Sequence, residues 1–268
     1  MKNLMLLVGL MLISSLGMTS CNEPAYGKPY TAYASMLNFD DMDIKNIQEK
    51  IYNTFVQSVV AKKDDELIAL RAKLEEASAA KGNALIDYWR GYLQYYYAIY
   101  YMQKGDKLKS AEEVDKGIDI MDKIKNKNSE DFALMAMLQS FAIQFRKGMM
   151  AGIMSSKVKK NVKKAMELDE SNVRAFYVAA NSDYYTPEKY GGGKKAEDYL
   201  LKAIELPSQK MKNEYLPSWG KGEAYKLLVE LYIKREDWDN AKNHYQAAVA
   251  EFPDDYNISK LATKLVGK

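Results

Sequence analysis

Apolar positions along most of this chain recur every three or four residues, which is the spacing of helices that bury one face. The pattern is clearest between residues 222 and 253. Ala224, Leu227, Leu228, Leu231 and Tyr232 form one apolar stripe, a polar break follows at Lys234-Arg235-Glu236-Asp237, and Ala241, Tyr245, Ala248, Val249 and Phe252 form a second. Two stripes separated by so short a break predict two helices folded back as a hairpin. Extended along the chain, the same spacing predicts helices at 42–61, 64–80, 83–104, 107–126, 129–149, 155–168, 172–185, 193–206, 220–235, 237–251 and 255–266. With only 6 Pro and 15 Gly and few β-branched runs in 268 residues, nothing competes with an all-α reading.

The stretch 222–253 resembles the tetratricopeptide repeat (TPR), a helix-turn-helix unit of about 34 residues with the signature W-x2-L-G-x2-Y, A-x3-F and P. Tyr225, Leu228, Val229, Tyr232, Ala241, Tyr245 and Pro253 stand in those places, and Ala248 is a further match. Small residues at 241 and 248 let the second helix lie close to the first, and Pro253 ends the unit. Val229 departs from the usual glycine, and its bulk predicts slightly wider helix spacing there.

Fainter echoes lie upstream. Ala165 to Asn172 reads as the end of one repeat, with Asn172 placed to cap the next helix. Ala196, Leu200, Ala203 and Pro207 repeat the later spacing, and Gly105-Asp106 followed by Ala111 parallels Asp237 to Ala241. The resemblance is clearest at 155–207 and 222–253, and residues 42–80 do not align to the motif. It implies an α-α superhelix, a TPR-like solenoid of antiparallel hairpins over residues 41–268, closed by a C-terminal cap helix at 255–266.

The N-terminus reads differently. A single cation at Lys2 precedes an apolar run from Leu4 to Leu16, shorter than the roughly 20 residues of a membrane span, so residues 1–20 read as an export leader. Met18-Thr19-Ser20-Cys21 resembles the lipobox of bacterial lipoproteins, with Met18 where leucine is usual, and implies a lipid on Cys21. Cys21 is also the only cysteine, so an intramolecular disulfide is excluded. Residues 21–40 lack helical periodicity and suit a flexible tether. The expected location is the cell envelope, at the outer membrane facing the periplasm, with membrane contact through the N-terminal lipid alone.

Charge and chemistry narrow the functions. A net charge of +3 gives no footprint for nucleic acid. With one histidine, His244, and one cysteine, no zinc spacing or convincing triad can be assembled, so no catalytic residues, metal or cofactor are expected. His244 lies beside Tyr245 on a mostly polar stretch and reads as an exposed helix-surface histidine, and the alternating charges Glu223, Lys226, Glu230 and Lys234 read by default as a solvated face. Gly191-Gly192-Gly193-Lys194-Lys195 is a glycine-rich turn entering a helix, and Gly192, Gly193, Lys194 and Lys195 could present amides and cations to an anion; it lacks P-loop spacing. An enlarged turn is the plainer reading.

The helix at 88–101 carries Tyr88, Trp89, Tyr92, Tyr95, Tyr96, Tyr97, Tyr100 and Tyr101. Trp89, Tyr92, Tyr96 and Tyr100 share a stripe by i, i+3/i+4 spacing, which is either a ligand surface or core between hairpins. Because TPR arrays bind along the concave face of their first helices, this stripe, with Glu223, Lys226 and Glu230 on the last clear repeat, is the expected ligand groove. The expected function is a non-catalytic scaffold for a protein or peptide partner. The alternative is a lipoprotein that captures a glycan or small ligand with the aromatic helix, as the outer-membrane glycan-capture family does.

Overall fold

The computed structural model describes residues 44–207 and 213–268. The leader, Cys21 and the tether of the sequence reading lie outside the described residues. The helices are α1 (Ile47–Ala61), α2 (Asp65–Lys81), α3 (Ala84–Gln103), α4 (Lys107–Lys123), α5 (Ser129–Ala142), α6 (Met149–Leu168), α7 (Val173–Tyr185), α8 (Ala196–Glu205), α9 (Lys221–Lys234), α10 (Trp238–Glu251), α11 (Tyr256–Ser259) and α12 (Ala262–Leu265). Short 3-10 turns occupy Ile143–Phe145 and Glu188–Tyr190. No strand occurs among the described residues.

Consecutive helices pack in pairs, α3 with α4, α5 with α6, α7 with α8 and α9 with α10, and the first helices α3, α5, α7 and α9 also neighbour one another in a row. That is the layout of a solenoid: each hairpin covers its apolar face with the next. The pairs meet through small residues. Ala241 and Ala248 on α10, Ala196 and Ala203 on α8, and Ala165 on α6 are fully buried. Side-chain caps set where the helices begin: Asn128 opens α5 in a capping box with Asp131, and Asn172 accepts from the Arg174 and Ala175 amides to open α7.

Several sequence expectations need correction. The helix expected at 129–149 stops at Ala142, where the backbone tightens into the 3-10 turn and then goes extended at Arg146, with φ −105° and ψ 148°; Gly148, at φ 52° and ψ −129°, completes the break, and a new helix starts at Met149, earlier than the expected 155. The cap expected at 255–266 is two four-residue helices, because the chain around Lys260 and Leu261 tightens into i to i+3 hydrogen bonds. The small residue four positions after Asp106 is Ser110, fully buried with its Oγ donating to the Ala98 carbonyl at 2.7 Å; Ala111 is only half-buried. His244 is not a simple surface histidine. It is half-buried, with its ring stacked on Tyr232 at 5.4 Å, and loss of solvent pulls its pKa down.

Candidate functional site

The concave side of the array is the face of α3, α5, α7 and α9 turned away from their partner helices. Two pieces of the chain's own structure occupy one end of it. One is the strap 213–220 that leads into α9, and the other is α1. The Trp89 indole N–H donates to the Tyr215 carbonyl at 3.0 Å, and Gln48 of α1 accepts from the Ser218 and Trp219 amides at 2.8 and 3.1 Å. Arg174 donates to the Trp219 carbonyl at 3.1 Å. The backbone of the strap is thus gripped by side chains from α1, α3 and α7, as a bound extended peptide would be.

Trp219 is the anchor of this strap. Its indole N–H donates to the Tyr88 hydroxyl at 2.8 Å, its ring stacks on Tyr92 at 5.8 Å, and Tyr177 meets it edge-on at 6.3 Å. Arg174 is buried and makes a two-pronged ion pair with Glu130, its Nε and Nη2 each donating to one carboxylate oxygen. Burial opposes the Arg174 charge, but the Glu130 carboxylate outweighs it and holds the guanidinium above its ordinary pKa. This pair links the first turns of α5 and α7 under the strap. Removing either partner would strand a charge in the core.

All these contacts come from the first halves of α1, α3, α5 and α7, so the strap lies across that end of the array. Further along the same helices the space is lined by tyrosine. Tyr96 packs on Phe55 at 5.1 Å and on Tyr52 at 6.0 Å, and its hydroxyl lies 3.3 Å from that of Tyr92. Tyr95 meets Tyr96 at 5.7 Å and Phe141 at 5.5 Å. From α7 come Tyr177, half-buried, and Tyr185, which is 65% exposed at the rim. The phenols of Tyr95, Tyr96 and Tyr177 all sit well above their ordinary pKa, first because they are desolvated, and then because of the nearby Glu223 carboxylate for Tyr95 and Tyr96 and of Tyr95 followed by Glu223 for Tyr177. They are therefore neutral hydroxyls, able to donate and accept, on a surface that water reaches only partly. Burial also pushes the Glu223 carboxyl up, resisted by hydrogen bonds from backbone amides, that of Gly220 at 2.7 Å among them.

The sequence-predicted groove residues divide between core and recess. Trp89, Tyr92 and Tyr100 are buried, so the open aromatic stripe is corrected to core for these three. Tyr100 keeps its place in the stripe, within about 40° of Tyr96 around the helix, but it is covered by its neighbours and only 1% exposed. It packs on Tyr101 at 5.3 Å. Tyr96 alone of the four is part of the accessible wall. Glu223 caps α9, while Lys226 pairs with Glu230 at 3.2 Å and Glu230 also reaches Lys264 at 3.7 Å.

The glycine turn is corrected from an anion cradle to an internal cap. The Asp183 carboxylate accepts from the Lys195 and Ala196 amides at 2.8 and 2.9 Å, and the Asp183 carbonyl accepts from Gly193 at 2.9 Å. Gly192 is buried where a Cβ would fall 1.9 Å from the Thr186 carbonyl oxygen, while Lys194 and Lys195 point to solvent. The Gly192 and Gly193 amides are taken by backbone carbonyls and the Lys195 amide by the Asp183 carboxylate.

Sequence reasoning missed Gln48, Tyr52, Glu130, Arg174, Tyr177, Tyr185 and Trp219. The available signal was the connection between α8 and α9. It is much longer than the turns inside the hairpins, and connections of this length are commonly functional.

The architecture defines the class: a TPR-like array of helical hairpins. A thermophilic TPR protein of Thermus thermophilus superposes with a TM-score of 0.51 at 15% identity, over 81% of this chain and 99% of that one. The HusA haemophore of Porphyromonas gingivalis aligns with a TM-score of 0.49 at 21% identity, over 70% of this chain and 93% of its own. No family model matches the sequence, and no curated protein matches it.

Proposed function

We propose that this chain is a non-catalytic binding protein whose tyrosine-lined recess captures a compact, uncharged ligand with flat faces, such as a sugar ring or a planar ring system. The observation that carries this reading is the convergence of Tyr95 and Tyr96 from α3 and Tyr177 and Tyr185 from α7 on a space closed at one end by Trp219. Tyrosines supply flat apolar faces and neutral hydroxyls, which suits ring ligands bearing polar substituents. A closed end favours a compact ligand over a long peptide threaded through the groove.

A second reading is a scaffold for a partner protein. It is favoured by the way the strap is held, since a groove that grips its own backbone through Trp89, Arg174 and Gln48 has the chemistry to grip another. In either case the sequence of the leader and Cys21 supports export and a lipid anchor in the cell envelope, at the periplasmic face of the outer membrane.

The test is tryptophan fluorescence with Trp219 as reporter at the closed end. Soluble oligosaccharides and planar aromatic compounds are titrated into wild type and into a Tyr95→Ala/Tyr177→Ala variant of unchanged helicity. Saturable quenching in wild type, lost in the variant, supports capture. If no compound binds, while a protein is retained from solubilised envelopes by wild type and released by the variant, capture is wrong and the scaffold reading replaces it.

A further inference from the structure

The outward face of α6 belongs to neither the recess nor the core. Val158, Val162 and Ala165 turn into the array. On the opposite side Met149, Ile153 and Lys160 fall in one line, four and seven residues apart. Met149 is 79% exposed, Met150 55% and Ile153 43%, three large apolar side chains at one end of a single helix. Beyond them the same surface carries exposed Lys157, Lys159, Lys160 and Lys163, and Lys147 precedes it. No acidic residue occurs between Arg146 and Glu167. Arg146 is paired with Asp115, and Lys163 and Lys164 with Glu167. Among the described residues Lys147, Lys157, Lys159 and Lys160 make no ion pair.

We infer that this face docks on an anionic phospholipid bilayer, with Met149, Met150 and Ile153 entering the interface and the lysines lying at headgroup level. The contact is separate from any lipid at Cys21. Scattered exposed apolar residues need no explanation, but three together beside an uncompensated run of cations match an interfacial surface in both hydrophobicity and sign. A neutral bilayer satisfies only the apolar tip. Each lysine near an anionic surface strengthens binding by roughly fivefold, so the three unpaired lysines of the helix account for about a hundredfold preference over a neutral bilayer.

The test places a polarity-sensitive fluorophore on the full chain at Ile153→Cys in a Cys21→Ser background, so that the signal reports this helix and not the N-terminus. Vesicles of phosphatidylglycerol and phosphatidylcholine should shift its emission to the blue and shield it from aqueous quencher, and pure phosphatidylcholine should not. A label at Tyr190→Cys, on an exposed turn elsewhere, should stay unchanged. Adding Lys157→Gln, Lys159→Gln and Lys160→Gln should weaken the response about a hundredfold at unchanged helicity. An unshifted label at 153, or equal shifts at 153 and 190, overturns the proposal. So does a shift produced by polyglutamate but not by vesicles, which makes the surface a site for an acidic protein.

Discussion

The hairpin α3–α4 and the hairpin α9–α10 share little sequence, yet they are built alike position by position. Each turn passes through a left-handed residue, Gly105 at φ 79° in one and Glu236 at φ 60° in the other. Next comes an aspartate N-cap, Asp106 at φ −84°, ψ 79° and Asp237 at φ −84°, ψ 78°, accepting from the amide three residues on. Four residues later a small side chain is fully buried, Ser110 or Ala241, and seven beyond that Gly117 or Ala248. Before each turn a tyrosine hydroxyl donates to a carboxylate at the start of the second helix of the preceding hairpin: Tyr101 to Asp64 at 2.5 Å, Tyr232 to Glu197 at 2.8 Å. The hairpin is specified by turn conformation, close approach and one buried-edge hydrogen bond, and the motif letters are one of several ways of writing them.

If the two hairpins are equivalent, matched substitutions should act in parallel, and the largest effects belong to close approach. Ala248→Leu and Gly117→Leu should each cost about 3 kcal/mol, read from the urea midpoint, since a Cβ at 117 already falls 2.9 Å from Leu138 Cδ2. A tolerated leucine at 117 alone breaks the parallel.

Next come Tyr101→Phe and Tyr232→Phe, each expected to lose about 1.5 kcal/mol because each hydroxyl bonds a carboxylate. The Tyr232 phenol should titrate near 12, raised first by burial and then by Glu197, and ultraviolet titration of Arg235→Ala should move it further up. The aspartate caps rank below these, with Asp106→Ala and Asp237→Ala losing about 1 kcal/mol apiece.

The smallest effect has opposite signs in the two hairpins. Glu236→Gly should gain up to about 1 kcal/mol by relieving a left-handed side chain, whereas Gly105→Ala should lose a similar amount. Acid titration adds a further contrast. Hydrogen bonding from Arg235 holds the Glu197 carboxyl below its ordinary pKa, so its stabilising contribution is complete above the ordinary carboxylate range and disappears as pH falls through the folded-state value. The stability gap between wild type and Arg235→Ala should therefore close in acid, as thermal melts across pH will show.

The fold was legible because it depends on local spacing. Tyr225, Leu228, Val229, Tyr232, Ala241 and Ala248 are all buried as the motif implies, and Asn172 caps α7. Spacing alone does not choose Ser110 over Ala111, because two adjacent small residues are indistinguishable until the cap at Asp106 fixes the register. The site was far less legible. Aromatics surround α3 because α1 and the strap cover its second face, and the strap lies over a hundred residues along the chain from both helices. Periodicity reports which face of a helix is apolar; it carries no information about which distant segment arrives to cover it. Trp219 sits in a stretch without periodicity at all, and Arg174 looks like a surface cation until Glu130 is brought beside it.

Solenoids ordinarily fold and unfold piecemeal, since each repeat depends only on its neighbours. Here Gln48 bonds Ser218 across 170 positions and Tyr52 accepts from Asn257 across 205. Those links tie α1 to the strap and to α11 near the end of the chain, so fraying at one end must also disturb the other. The array should behave as one cooperative unit in hydrogen exchange, and it should reach that state slowly, because the contacts that complete it require loop closures spanning most of the chain.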